Sequence, residues 1–362
     1  MATPQFHALR IRDVRPETRD AVTISFEVPL ELRDAYRFKQ GQFLTLKAAI
    51  DGEEARRSYS ICASPAEYEQ HGELRVGIKR VPGGKFSNFA NEALQAGQNI
   101  EVMTPDGRFF VPLDAQQARH YVGFAGGSGI TPMLALIKAS LAVEPASRFT
   151  LIYGNRSVSA IMFAEELEDL KNRYLGRLTL YHVLSDEAQD IELFNGLLNQ
   201  DKCSAFLNTL LPPESIDAAF ICGPAPMMDA AEAALKQAGV SHEKIHIERF
   251  GTPLPQAGVP AIEITDATPT AQLVVIADGK ERNLRIPFAG ISVLDSGLKA
   301  GMNLPYACKG GVCCTCRARV LEGEVRMDKN YTLEQHELDA GFVLTCQCHP
   351  VSERIVVSYD ER

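Results

Sequence analysis

The chain has 362 residues, 45% hydrophobic and 23% charged, with a formal net charge of −9. That mix excludes wholesale disorder, and the length allows two or three domains, each with its own core. The acidic balance and the lack of a Lys/Arg run argue against nucleic-acid binding. Charges within "MATPQFHALRIRDVRPET" argue against a signal peptide, and no apolar run approaches the roughly 20 residues of a membrane span, so a cytoplasmic location is expected.

Residues 1–113 read as an antiparallel β-domain, most simply a small barrel. "FHALRIRDV", "AVTISFEV" and "GQFLTLKA" alternate in polarity, and "ELRVGIKR" follows a polar loop. Only "KFSNFANEAL" reads as helix there. From 114 to 250, buried strands alternate with helices. "HYVGFAG" leads into "GSGITPMLALIKASLA", whose Pro132 suits a first helical turn. "RFTLIYGN", the helix "MFAEELEDLKNRY", "RLTLYHVLS", a further helical stretch, "AAFICGP", the helix "APMMDAAEAALKQAG" and "KIHIERF" follow. This order predicts a parallel, doubly wound α/β sheet. Residues 251–270 carry four prolines and no apolar period, and read as a linker. Residues 271–362 open with a hairpin turning at Asp278-Gly279. A short helix, "SVLDSGLKAG", a cysteine-bearing loop and further strands complete an α+β domain.

Of nine cysteines, Cys62, Cys203 and Cys222 are scattered and default to small core side chains. Cys308, Cys313 and Cys316 form C-x4-C-x2-C, the spacing of plant-type [2Fe–2S] ferredoxins, whose fourth ligand comes from a distant point, here Cys346. Gly310 and Gly311 let backbone N–H groups approach the sulfurs. Cys314 is one position out of register, and Cys348 is assigned to the next, outward-facing position of its strand. The alternative is a zinc site of Cys313, Cys316, Cys346 and Cys348, which leaves Cys308 without a role.

A one-electron cluster fed by a two-electron nicotinamide needs a flavin between them. In "RRSYSIC" (56–62), Arg57, Ser58, Tyr59 and Ser60 supply a phosphate partner, an aromatic face for the isoalloxazine and a hydroxyl for flavin N5. Lys79 ends the strand that precedes the next motif. Gly84, Lys85, Phe86 and Ser87 open a helix whose free N–H groups suit a pyrophosphate, favouring FAD over FMN; the plainer alternative is a helix cap. Gly126, Gly127, Ser128, Gly129 and Thr131 follow a buried strand and open a helix, as dinucleotide phosphates require, with Pro132 where a third glycine is usual. In "YGNRS", Arg156 and Ser157 stand where an NAD site would carry an acid, so a 2′-phosphate, and NADPH, is expected. "CGPAPMM" follows a buried strand, at whose carboxyl end doubly wound sheets place ligands, so Cys222, Gly223, Pro224 and Met227 are expected beside the nicotinamide. Ser60 and Cys222 are the catalytic candidates.

Across nearly the whole chain these motifs resemble the ferredoxin–NADP reductase superfamily with a C-terminal plant-type ferredoxin domain. The resemblance implies a β-barrel flavin domain, an α/β nucleotide domain and a β-grasp ferredoxin domain. "CKGGVCCTC", "LEGEVRMDKNY" and "LTCQCHP" are similar to the reductase family of the ring-1,2-phenylacetyl-CoA epoxidase of aerobic phenylacetate degradation, Cys314 and Cys348 included. That implies electrons passing from NADPH to FAD to [2Fe–2S] and on to a separate, diiron oxygenase component. Reductases of ketosteroid and aromatic hydroxylases share the domain order and stay open as alternatives. So does a redox sensor, although a sensor has no need of a hydride port.

Overall fold

The computed structural model describes residues 4–250 and 269–361; the expected linker lies outside them except for its last two residues, and Thr270 already opens a strand. Phe6–Phe250 is one compact unit and the C-terminal residues are another.

The first unit begins with β1 (Phe6–Thr18), β2 (Ala21–Glu27), β3 (Phe43–Ile50), β4 (Glu53–Ser60), α1 (Pro65–His71), β5 (Leu74–Lys79), α2 (Lys85–Glu92) and β6 (Asn99–Met103). The strands form one antiparallel sheet in the order β4-β3-β6-β1-β2-β5. Its two ends meet through one bridge, Ile61 opposite Val76, beside which Cys62 N–H donates to the Arg75 carbonyl at 2.9 Å. The sheet is thereby rolled into a barrel around Leu9, Ile11, Ile24, Phe26, Leu44 and Leu46, all fully buried. Helix α1 is a correction to the expectation of a single helix here. It is too short to show an apolar period, yet a Ser64–Glu67 capping box and Pro65 in the first turn start it, and Gly72 in the left-handed region ends it.

The same unit continues with β7 (His120–Gly126), α3 (Ile130–Val143), β8 (Arg148–Asn155), α4 (Ala164–Arg173), β9 (Leu178–Leu184), α5 (Gln200–Thr209), β10 (Ala218–Cys222), α6 (Ala225–Gln237) and β11 (Ile245–Glu248). All strand pairs are parallel, in the order β11-β10-β7-β8-β9. Every residue of β7 is buried, as a strand covered on both faces must be. The chain winds one way from β7 and the other way from β10, so the switch point lies between their carboxyl ends. Barrel and α/β sheet are joined by an ionic network. Arg75 of β5 meets Glu166 of α4 at 2.8 Å, and Lys138 of α3 pairs with both Glu67 of α1, at 2.8 Å, and Glu166.

The second unit contains β12 (Thr270–Ala277), β13 (Lys280–Pro287), α7 (Val293–Lys299), β14 (Arg317–Glu322), β15 (Val325–Met327), α8 (Gln335–Asp339), β16 (Phe342–Leu344), β17 (Cys348–Pro350) and β18 (Arg354–Ser358). Its mixed sheet runs β13-β12-β18-β14-β16, with β12 and β18 parallel, and β15 pairs separately with β17. The Asp278-Gly279 hairpin has positive φ at both residues, as that turn requires. Ser292 caps α7, whose helix stops before Gly301. The cysteine loop then runs from α7 to β14.

Candidate functional site

At the switch point the loops after β7 and β10 touch. A Cβ on Gly129 would lie 2.0 Å from the Cys222 carbonyl oxygen, and one on Gly126 would lie 2.7 Å from both Met227 Sδ and Pro224 Cδ. Only bare backbone fits. The loop Gly126–Gly129 therefore turns into α3 directly against Gly223 and Pro224, and Thr131 secures it by donating to the Ser128 carbonyl at 3.0 Å. Met227 is the buried wall of this crevice. The result is a helix N-terminus at the carboxyl end of a parallel sheet, the standard setting for a pyrophosphate.

Three strands converge beside it. Ser60 ends β4, Cys222 ends β10 and Glu248 ends β11, with Cys222 and Glu248 in register. The Ser60 hydroxyl donates to Glu248 Oε2 at 2.9 Å. Burial pushes the Glu248 carboxyl up to about 8, against the lowering effect of that hydrogen bond. Burial, and then the nearby Glu248, push the Cys222 thiol well up, so it stays a neutral thiol. Tyr59 precedes Ser60, packs its ring 5.8 Å from Phe86, and has a hydroxyl that burial pushes up.

Arg156 and Ser157, the expected 2′-phosphate residues, line a different cavity, of about 540 Å³, together with Arg19, Arg80, Asp20 and Asp186. Arg156 Nη2 sits 3.3 Å from Asp20 Oδ2, and Lys79 Nζ sits 3.6 Å from Asp20 Oδ1. The structure thus brings Lys79 to the Asp20 side of the barrel.

The flavin-phosphate candidates are more dispersed. Gly84 is the N-cap of α2, and the Ser87 hydroxyl accepts from Val81 N–H at 3.0 Å, bracing the turn from inside. Lys85 is exposed and paired with Glu53 at 2.6 Å. Arg57 is exposed and donates to the Arg56 carbonyl, while Ser58 meets Thr45 Oγ1 at 3.1 Å. Phe86, expected at a cofactor, is 1% exposed and belongs to the barrel core. The helix that begins at Lys85 turns Phe86 inward, and its contacts are Tyr59 and Phe89.

In the second unit Cys308 N–H donates to Cys313 Sγ at 3.5 Å. Gly310 N–H donates to Cys308 Sγ at 3.2 Å and Gln347 Nε2 to Cys346 Sγ at 3.6 Å. The Cys313 partner, together with backbone N–H groups, pulls Cys308 down to about 5 despite its burial. Among the described residues no three His, Cys, Asp or Glu side chains converge on a single ion position. The C-x4-C-x2-C register with Cys346 suits two irons better than one tetrahedral zinc, which would leave Cys308 without a role. Cys348 is fully buried, where an outward position was expected. It starts β17, and its Sγ donates to the Leu344 carbonyl at 3.2 Å within the core. Cys314, in the left-handed region, points its Sγ to Thr332 Oγ1 at 3.0 Å.

Three family profiles match in turn: an oxidoreductase FAD-binding domain over residues 9–111, an oxidoreductase NAD-binding domain over 124–233 and a 2Fe-2S iron-sulfur cluster binding domain over 275–351. The chain is 46% identical over 358 residues to a subunit of the 1,2-phenylacetyl-CoA epoxidase of Escherichia coli K12, covering 99% of this chain and 98% of that one. The chain belongs to the flavin and iron–sulfur reductase components of oxygenases.

Other members of this reductase family diverge further. The ferredoxin reductase component of 3-ketosteroid-9-alpha-monooxygenase from Mycolicibacterium smegmatis is 37% identical, with 98% of this chain and 97% of that one covered. A phthalate dioxygenase reductase structure shares the fold at a TM-score of 0.58 and 21% identity, covering 98% of each chain. By the three matched profiles, the cofactors are FAD and a [2Fe–2S] cluster, with a pyridine nucleotide as electron source. The reductase's site also includes a residue not anticipated from sequence, Glu248. Its signal was present: a carboxylate closing the last parallel strand stands where doubly wound sheets place their ligands.

Proposed function

We propose that this reductase draws electrons from NADPH and delivers them to the ring epoxidase that acts on phenylacetyl-CoA, a diiron oxygenase component. The observation that carries the choice of partner is the 46% identity to the E. coli epoxidase protein over essentially both whole chains, against 37% for the ketosteroid reductase.

When bound, FAD accepts a hydride and releases its electrons singly, and the [2Fe–2S] cluster carries one at a time. The chain's own residues supply the rest. The Gly126–Gly129 loop offers backbone N–H groups to the nucleotide pyrophosphate, and Arg156 and Ser157 bind the 2′-phosphate. Gly84–Ser87 offers the N-terminus of α2 to the pyrophosphate of FAD, with Arg57 beside it. Tyr59 presents its ring to the flavin. Ser60 holds its hydroxyl at the flavin N5 position, and the protonated Glu248 carboxyl stores a proton 2.9 Å from Ser60 Oγ. Cys222, kept neutral, shapes the nicotinamide pocket without competing as a nucleophile. Cys308, Cys313, Cys316 and Cys346 would hold the cluster. The C-x4-C-x2-C register and the N–H groups aimed at Cys308 support that assignment.

The test is reconstitution. The purified reductase should drive phenylacetyl-CoA oxidation by the epoxidase's oxygenase component with NADPH, and should fail with a ketosteroid monooxygenase component. NADPH should exceed NADH roughly tenfold in kcat/KM, because a charge-assisted Arg156–phosphate contact contributes about 1.5 kcal/mol at an exposed site. Efficient turnover of the ketosteroid oxygenase and none of the epoxidase would transfer the chain to the other branch of its family.

A further inference from the structure

We infer that Asp20, contributed by the flavin barrel, sets nucleotide preference by opposing the 2′-phosphate and giving the unphosphorylated ribose an acceptor. The inference rests on reading the Arg156 cavity as the adenosine site.

Asp20 lies in the turn between β1 and β2 and is held there from several sides. Its Oδ1 accepts from Thr18 Oγ1 at 2.9 Å and faces Lys79 Nζ at 3.6 Å, and its backbone carbonyl accepts Arg80 N–H at 2.7 Å. Its side chain is 31% exposed, whereas the Arg156 side chain that reaches it at 3.3 Å is 67% exposed. The carboxylate is thus the fixed partner and the guanidinium the adaptable one. Arg19, Arg80 and Arg156 line the cavity with Asp20 and Asp186, so the two carboxylates offset part of its positive charge.

A 2′-phosphate that reaches Arg156 must displace Asp20 from the guanidinium or sit beside it as a like charge. A ribose 2′-hydroxyl meets the opposite situation, because a carboxylate accepts its hydrogen bond, the usual device of NAD sites. Strand β8 ends without an acid and so reads as an NADP strand. The missing acid arrives from a turn 136 residues earlier in the chain. The geometry therefore describes an enzyme that accepts both nucleotides, with Arg156 and Asp20 pulling in opposite directions.

The experiment measures calorimetric binding of 2′-phospho-ADP-ribose and ADP-ribose to the full-length holoenzyme and to Asp20→Asn, Arg156→Ala and the double variant, with steady-state kcat/KM for NADPH and NADH alongside. Asp20→Asn should tighten 2′-phospho-ADP-ribose about fivefold, as expected for one partly exposed charge, and leave ADP-ribose unchanged or about twofold weaker. The gain should shrink with added salt. Asp20→Glu, which keeps the charge, should behave as the parent, and melting temperatures check that each variant is folded. If Asp20→Asn weakens the phosphorylated ligand, Asp20 orients Arg156 and does not oppose it, and the inference falls. An unchanged ligand ratio in Asp20→Asn also overturns it, while loss of preference in Arg156→Ala keeps the NADP reading intact. If Arg156→Ala changes nothing but Asp20→Asn still shifts the ratio, the Arg156 reading fails and Asp20 acts on the phosphate directly.

Discussion

Replacing Glu248 by Gln tests the proton store at the crevice. The native carboxyl is pushed from its ordinary 4.5 up to about 8 by burial. Between those values the folded protein keeps a proton that the unfolded chain has released. The carboxyl's contribution is complete below pH 4.5, declines as pH rises towards 8 and is constant above it. The limiting slope is about 1.4 kcal/mol per pH unit. From pH 6 to 8 that is at most about 3 kcal/mol, and water reaching a group at the edge of a crevice reduces it to roughly 1–2 kcal/mol. For a unit of this size the shift corresponds to about 3–6 °C. Thermal melts at pH 6, 7, 8 and 9 should therefore show the parent losing that much relative to Glu248→Gln by pH 8, with parallel behaviour beyond pH 9. Stopped-flow bleaching of the flavin by NADPH should show a limb near pH 8 that is absent in Glu248→Gln. Stability curves that run parallel over the whole range would mean that the carboxyl is already ionised at pH 6, and the proton store would be withdrawn.

Serine at Cys308, Cys313, Cys316 or Cys346 should abolish the visible absorbance of the cluster, while Cys314→Ser and Cys348→Ser should keep it. Bleaching by Cys348→Ser with retention in Cys346→Ser would reverse the ligand assignment. Cys348→Ser should also cost about 1 kcal/mol in urea unfolding, since its sulfur is fully buried. Gly129→Ala would place a methyl 2.0 Å from the backbone oxygen of Cys222, which cannot rotate away. It should destabilise the first unit by about 3 kcal/mol and abolish nucleotide binding, and an unchanged urea midpoint would refute the tight-loop geometry. Extraction of the flavin should release FAD; release of FMN would remove the pyrophosphate role of Gly84–Ser87.

Long alternating strands, buried parallel strands and the cysteine register were legible because each is a local pattern set by one physical cause. Helix α1 was not, since a helix of seven residues has hardly two turns in which to display a period and is set by its caps. Cys348 was misjudged for a related reason. Inward or outward position on a strand depends on where the strand begins, and a shift of one residue reverses the side. Glu248 and Asp20 acquire meaning only through partners far away in sequence, Ser60 at a separation of 188 residues and Arg156 at 136. Spacing rules applied along the chain do not reach such pairs.

The barrel's seam has a mechanical consequence. A cylinder is most compliant where its strands are most sparsely paired, and here the seam is held by a single bridge, Ile61 opposite Val76, immediately after Ser60. Tyr59 and Ser60 thus border the most sparsely paired line of the wall. A ligand resting against Tyr59 and Ser60 would clasp the seam, which would tie its retention to closure of the wall. Amide exchange at Ile61 and Cys62 becomes a natural gauge of whether the clasp is shut.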